Sequence, residues 1–89
     1  DVAMQENSKP PTRGLAANIA RERLFLDTVR EFHGFGATAI GIEGGEGGTG
    51  VALLETWMEF TSTTGQRIRG EQVNVQRWRD GRIVHERFY

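Results

Sequence analysis

GQRIRGEQVNVQRWRDGRIVHERFY, residues 65–89, reads as two extended runs joined by a tight turn. The run from Arg67 to Arg79 carries Val73, Val75 and Trp78, and the run from Ile83 to Tyr89 is rich in β-branched and aromatic residues. Asp80-Gly81 between them suits a primed turn, which needs positive φ at both central positions and is eased by glycine. The stretch predicts a β-hairpin, and the preceding elements have to be arranged around it.

Upstream, Val51 to Thr61 (VALLETWMEFT) is a long strand, and Ser62-Thr63-Thr64-Gly65 is turn chemistry leading into the hairpin. Residues 44–50 hold five glycines around Glu46 and Thr49. No helix follows them and no Gly-Lys-Ser/Thr completes a phosphate loop, so they form a hairpin loop between Phe35–Glu43 and the long strand. From Gly14 to His33 the spacing turns helical: Leu15, Ile19, Leu26, Val29 and His33 fall on one arc, flanked by Phe25 and Phe32, with Gly34 placed to end the helix. Glu22 projects into the middle of that apolar arc, where it has to be paired or functional. Ser8-Lys9-Pro10-Pro11-Thr12 is a connector, because consecutive prolines remove two backbone donors. Asp1 to Asn7 is a short strand with Val2 and Met4 on one face. Strand, helix and four successive strands predict an α+β domain: an antiparallel meander packed on one long helix.

Composition narrows the function. Eighty-nine residues make one domain, residues 1–89, in which about 60–65% of the unfolded chain's surface can be buried. The small core favours a partner surface. Eleven basic against twelve acidic side chains give a net charge of −1, so no global field recruits nucleic acid or an anionic membrane. With no cysteine, thiolate chemistry and Cys-type metal sites are excluded. No apolar run approaches the roughly 20 residues of a membrane span, and a soluble, cytoplasmic protein is expected. Neither histidine, His33 or His85, has a second ligand at metal-binding spacing, so no metal and no other cofactor is expected.

The order of elements and several phrases resemble the SnoaL-like branch of the nuclear transport factor two (NTF2) superfamily, which includes polyketide cyclases and ketosteroid isomerases. The resembling residues are Asp1 to Asn7, Thr12-Arg13-Gly14, the Trp57–Phe60 strand ending in Thr64-Gly65, and above all Trp78-Arg79-Asp80-Gly81-Arg82-Ile83-Val84. The resemblance implies a curved antiparallel sheet forming a cone-shaped, cystatin-like roll on one long helix. Family domains open with helices that cap the cone. This sequence shows none before Asp1, and the expectation is that such helices precede it or that another subunit closes the pocket.

The resemblance also implies candidate site residues. Glu6, at the end of the strand before the helix, matches the carboxylate that moves the proton in isomerase-like members; desolvation in an apolar pocket would suit it as a general base. The alternative is a solvated carboxylate beside the connector. Asn74 falls near the family's second acid and could donate to a developing oxyanion. Alternation puts Asn74 with Gln72, Gln76 and Trp78 on one face and Val73 with Val75 on the other. Periodicity alone would bury the valines, whereas the resemblance turns the amides inward. Glu86, sharing a face with Val84 and Phe88, is a second candidate acid or else a cross-strand partner of an arginine. His85 is either a proton shuttle or a surface residue. Trp57 or Met58 with Phe60 and Phe88 would supply apolar walls, and Glu22 would enter from the helix.

Two functions follow from the resemblance. One is a small-molecule-binding domain working as a cofactor-free acid–base enzyme of isomerase, cyclase, dehydratase or epoxide hydrolase type on a small apolar substrate. The other is a non-catalytic ligand-binding or dimerisation domain of the same fold. A homodimer through the sheet face is expected under both.

Overall fold

The structure is a computed structural model, and residues 2–89 are described. Its elements in chain order are β1 (Ala3–Glu6), β2 (Thr12–Arg13), α1 (Leu15–Leu26), β3 (Val29–Gly44), β4 (Gly50–Ser62), β5 (Arg67–Arg79) and β6 (Arg82–Phe88). A short 3-10 turn, Glu46–Gly48, lies between β3 and β4. The six strands form one curved sheet in the order β2-β1-β6-β5-β4-β3.

The hairpin forms as its sequence dictates. Asp80 and Gly81 both take positive φ, 52° and 76°. Trp78 then pairs with Ile83, and a register shift at Arg77/Trp78 bulges the strand pair before Arg77 meets His85. The five-glycine loop turns β3 into β4 and reaches the hairpin tip, where the Gly81 amide donates to the Gly48 carbonyl at 3.0 Å. No side chain fits there: a Cβ on Gly48 would lie 2.3 Å from the Gly81 nitrogen.

Two features differ from the expected meander and long helix. β1 runs parallel to β6, with Met4 opposite Glu86 and Glu6 opposite Phe88, so the sheet is mixed. The helix ends at Leu26 rather than His33. Thr28 closes it, its hydroxyl donating to the Phe25 carbonyl at 2.6 Å, and Val29 begins a strand that pairs with β4 as far as Gly44. The bulge between Val29 and Glu31 explains the mistaken period. It lets Val29 and Phe32, three residues apart, face the same way opposite Ser62 and Phe60. That spacing imitates one turn of helix, and strand pairing overrides it.

The helix packs across the concave face at one end of the sheet. Phe25 meets Phe60 edge to face with ring centroids 5.4 Å apart, and Phe60 is buried. At the helix start, the buried Asn18 side-chain amide donates to the Gly14 and Thr12 carbonyls at 2.8 and 3.0 Å, tying α1 to β2. The rest of the concave face lies open, with Phe32, Phe35, Ile40 and Ile42 exposed. The total accessible surface, 6306 Å², exceeds the roughly 5,200 Å² usual for a compact monomer of this mass by about a fifth. The shape is a half-shell with an uncovered apolar interior.

Candidate functional site

Cross-strand registration fixes which side chains share the concave face. Ile42, Ala52, Gln76 and Glu86 align across β3, β4, β5 and β6, and Ile40, Leu54, Asn74 and Phe88 form the next inward row. Each is followed by a residue that points to the outer face, because strand side chains alternate. The amides therefore turn inward, as the resemblance implied, and Val73 is left exposed on the outside.

Three polar side chains converge in this apolar setting. Glu86 and Asn74 are 7% and 5% exposed. The Asn74 side-chain amide donates to Glu86 Oε2 at 2.7 Å, and Gln76 donates to the same oxygen at 2.8 Å. Trp78 Nε1 donates in turn to Gln76 Oε1 at 3.2 Å. Glu86 is held by amides and takes part in none of the arginine ion pairs among the described residues. The cross-strand arginine partner considered for it is thus not the one it has.

Apolar hollows flank the cluster. One of about 410 Å³ is lined by Ile40, Ile42, Ala52, Leu54, Gln76 and Trp78 and is bounded by the glycine loop. Another, of about 320 Å³, borders Phe32, Phe35, Met58, Gln72, Asn74 and Phe88. These volumes fall within the usual range for small-molecule sites, as does a mostly apolar lining with a few convergent polar groups.

The other expected residues are distributed as follows. Met58, Phe60 and Phe88 face inward with the amides. Trp57, one position from Met58, turns its ring to the outer face by strand alternation, where it packs over Gly34 and Gly36 under the Arg69 guanidinium, 4.6 Å from the ring centre, while still bordering the second hollow. Glu6 is exposed and lies 3.7 Å from Arg21, so it takes the solvated alternative. Glu22 borders the groove between α1 and β1 with Met4, Leu15 and Ile19, and its nearest cation is Arg21 at 3.9 Å. His85 contacts Gln5 at 3.1 Å and His33 contacts Thr61 at 2.7 Å. Asn18 escaped the sequence reading; the only signal was an amide on the apolar arc between Leu15 and Ile19.

On the outer face, the Arg67 guanidinium beside Glu59 holds its carboxyl below the usual carboxylate value, mainly by hydrogen bonding, with Arg69 adding to the effect. Among the described residues no group of three or more His, Cys, Asp or Glu side chains could hold a metal ion. No helix among those residues is long and apolar enough to cross a membrane.

No protein-family model and no curated protein matches the sequence. Solved structures do. An NTF2-like protein of unknown function from Burkholderia pseudomallei superposes with a TM-score of 0.81 at 17% identity over 100% of this chain and 69% of that one. A proposed SnoaL-like polyketide cyclase from Jannaschia sp. CCS1 gives 0.82 at 12% identity, covering 99% and 62%. A proposed isomerase from Bacillus subtilis gives 0.75 at 21% identity, covering 99% and 65%. The chain has the α+β fold of NTF2-like and SnoaL-like proteins and spans roughly two thirds of the length of these relatives.

Proposed function

We propose that this chain is the sheet-and-helix part of a small-molecule-binding domain. Its concave face receives an apolar molecule, and Glu86, positioned by Asn74 and Gln76, is the proton-accepting group of the site. The observation that carries this reading is the buried Glu86 carboxylate, gripped by two amides between apolar hollows. Buried, polar-clamped carboxylates in concave apolar sites are suited to acid–base work without a cofactor. The names of the similar cyclase and isomerase agree with such chemistry. Glu86 replaces Glu6 in the role of base, since Glu6 is exposed and paired with Arg21. Asn74 and Gln76 spend amide protons on Glu86 and act here by holding that carboxylate. Met58 and Phe88 wall the hollow beside Asn74 and Trp78 the hollow beside Gln76, while Phe60 packs under the helix against Phe25.

The test is a fluorescence titration with the apolar probe N-phenyl-1-naphthylamine. Saturable binding is expected for the wild type. Ala52→Trp, which fills the hollow beside Gln76, abolishes it, while Val73→Asn on the outer face leaves it unchanged. Binding indifferent to Ala52→Trp refutes the site.

A second copy on the outer sheet face suits the same molecule. One row across all six strands reads Arg13, Ala3, His85, Arg77, Val51 and Glu43. It is cationic at one end, acidic at the other, and neighbours exposed Leu53 and Val73. A two-fold axis through the middle of the row would set Arg13 of one copy against Glu43 of the other, as a self-complementary interface requires. Val73→Lys is expected to convert a dimer into a monomer in light scattering after gel filtration; a wild-type monomer at high concentration would exclude the interface.

A further inference from the structure

The hydrogen bonds around Glu86 have a direction that restricts what can be bound. An ionised carboxylate only accepts, so each neighbouring amide must turn its nitrogen towards Glu86 and its oxygen away. The Gln76 oxygen is then taken by Trp78 Nε1. The Asn74 Oδ1 is left buried with no partner among the described residues. Both amide bonds fall on Glu86 Oε2, and the carboxylate has no cation at ion-pairing distance among those residues. The unfilled requirement of the cluster is therefore for a donor and a positive charge, because a buried carboxylate is stable only when paired or fully hydrogen-bonded.

On the reading of the concave face as a ligand site, we infer that its ligand is an apolar molecule with a hydrogen-bond-donor head, a protonated amine being the best match, and that carbonyl and carboxylate heads are disfavoured. A ketone or lactone oxygen could accept only the second N–H of Asn74 or Gln76 and would leave the carboxylate without a counter-charge, and an anion would face Glu86 itself. An ammonium head satisfies the carboxylate, and Trp78, which lines the adjoining hollow, offers an aromatic surface that attracts cations. The aliphatic body has Ile40, Ile42, Ala52 and Leu54 to lie against.

The experiment is a calorimetric series on the whole chain with one aliphatic body and four heads: octylamine, 1-octanol, 2-octanone and octanoate. The amine is expected to bind at least about tenfold more tightly than the ketone, with the alcohol between them and the acid weakest. Glu86→Gln keeps the shape and removes the charge; it should reduce the amine-over-ketone preference from about tenfold to near parity. The wild-type series stands even if the variant folds poorly. Ketone or acid binding as tight as the amine, or an amine preference that survives Glu86→Gln, overturns the inference and leaves the pocket reading intact. Failure of all four to bind, together with an Ala52→Trp variant that titrates like wild type, overturns both.

Discussion

Glu86→Ala and Glu86→Gln together measure what the buried cluster contributes. Alanine removes the acceptor of two amide donors, at 2.7 and 2.8 Å, on side chains that are buried or half-buried. An unsatisfied buried donor costs about 1–3 kcal/mol. Gln76 retains some access to water, so the pair should cost about 2–4 kcal/mol, to which the cavity adds. In a domain of this size each kcal/mol lowers the Tm by about 4–8 °C. Glu86→Ala should therefore melt at least about 8 °C below wild type and show a correspondingly reduced urea midpoint with an unchanged m-value. Glutamine keeps an acceptor for the amides. It loses the charge assistance of two hydrogen bonds but also the penalty of burying a charge, so its net effect should stay within about 1 kcal/mol. Thermal denaturation followed by circular dichroism reads both variants in one buffer. An alanine variant melting within a few degrees of wild type would show that the amides do not depend on Glu86. A glutamine variant as damaged as alanine would show that the charge itself, not the acceptor, holds the cluster.

Asn18→Ala should cost about 1–3 kcal/mol in urea denaturation, because it removes the side-chain donor of two hydrogen bonds to the part-buried Thr12 and Gly14 carbonyls, the latter keeping the Asn18 backbone N–H. Gly48→Ala places a methyl 2.3 Å from the Gly81 nitrogen at a φ of 75° and should destabilise by more than about 2 kcal/mol. Gly41→Ala, with nothing within 4 Å of the added carbon, should leave stability unchanged or raise it by up to about 1 kcal/mol. Glu59 binds its proton less tightly folded than unfolded, chiefly through its hydrogen bond with Arg67. Its contribution is thus complete above the ordinary carboxylate range and lost as pH falls through the lowered folded value. Glu59→Gln should accordingly flatten the acid limb of a plot of urea midpoint against pH.

The hairpin was legible because Asp80-Gly81 and its flanking runs encode their geometry locally. The long strand Gly50–Ser62 was legible for the same reason. Two other features were hidden by non-local causes. Val29 and Phe32 share a face only because of a bulge in the pairing with β4, so their spacing read as helix. The parallel docking of β1 on β6 joins residues some eighty positions apart and leaves no local pattern. At the site, alternation correctly separated Asn74 and Gln76 from Val73 and Val75, but taken alone it would have turned the valines inward, the wrong set. Which set faces inward depends on the direction in which the sheet curves, which the resemblance supplied. Glu6 was misplaced for a related reason. Its position at the strand end matched a family carboxylate, but Arg21 on the first turns of the helix reaches it in open water.

The parallel pairing of residues 3–6 with 85–88 also governs when this half-shell can come together. During synthesis residues 3–6 must wait, their long-range backbone partner not yet made, until residues 85–88 have left the ribosome. Helix and first strand stay tethered but undocked through that interval, and topology of this kind folds slowly. A chain stalled before residue 85 would lose both the seam between β1 and β6 and the carboxylate on which the amides converge.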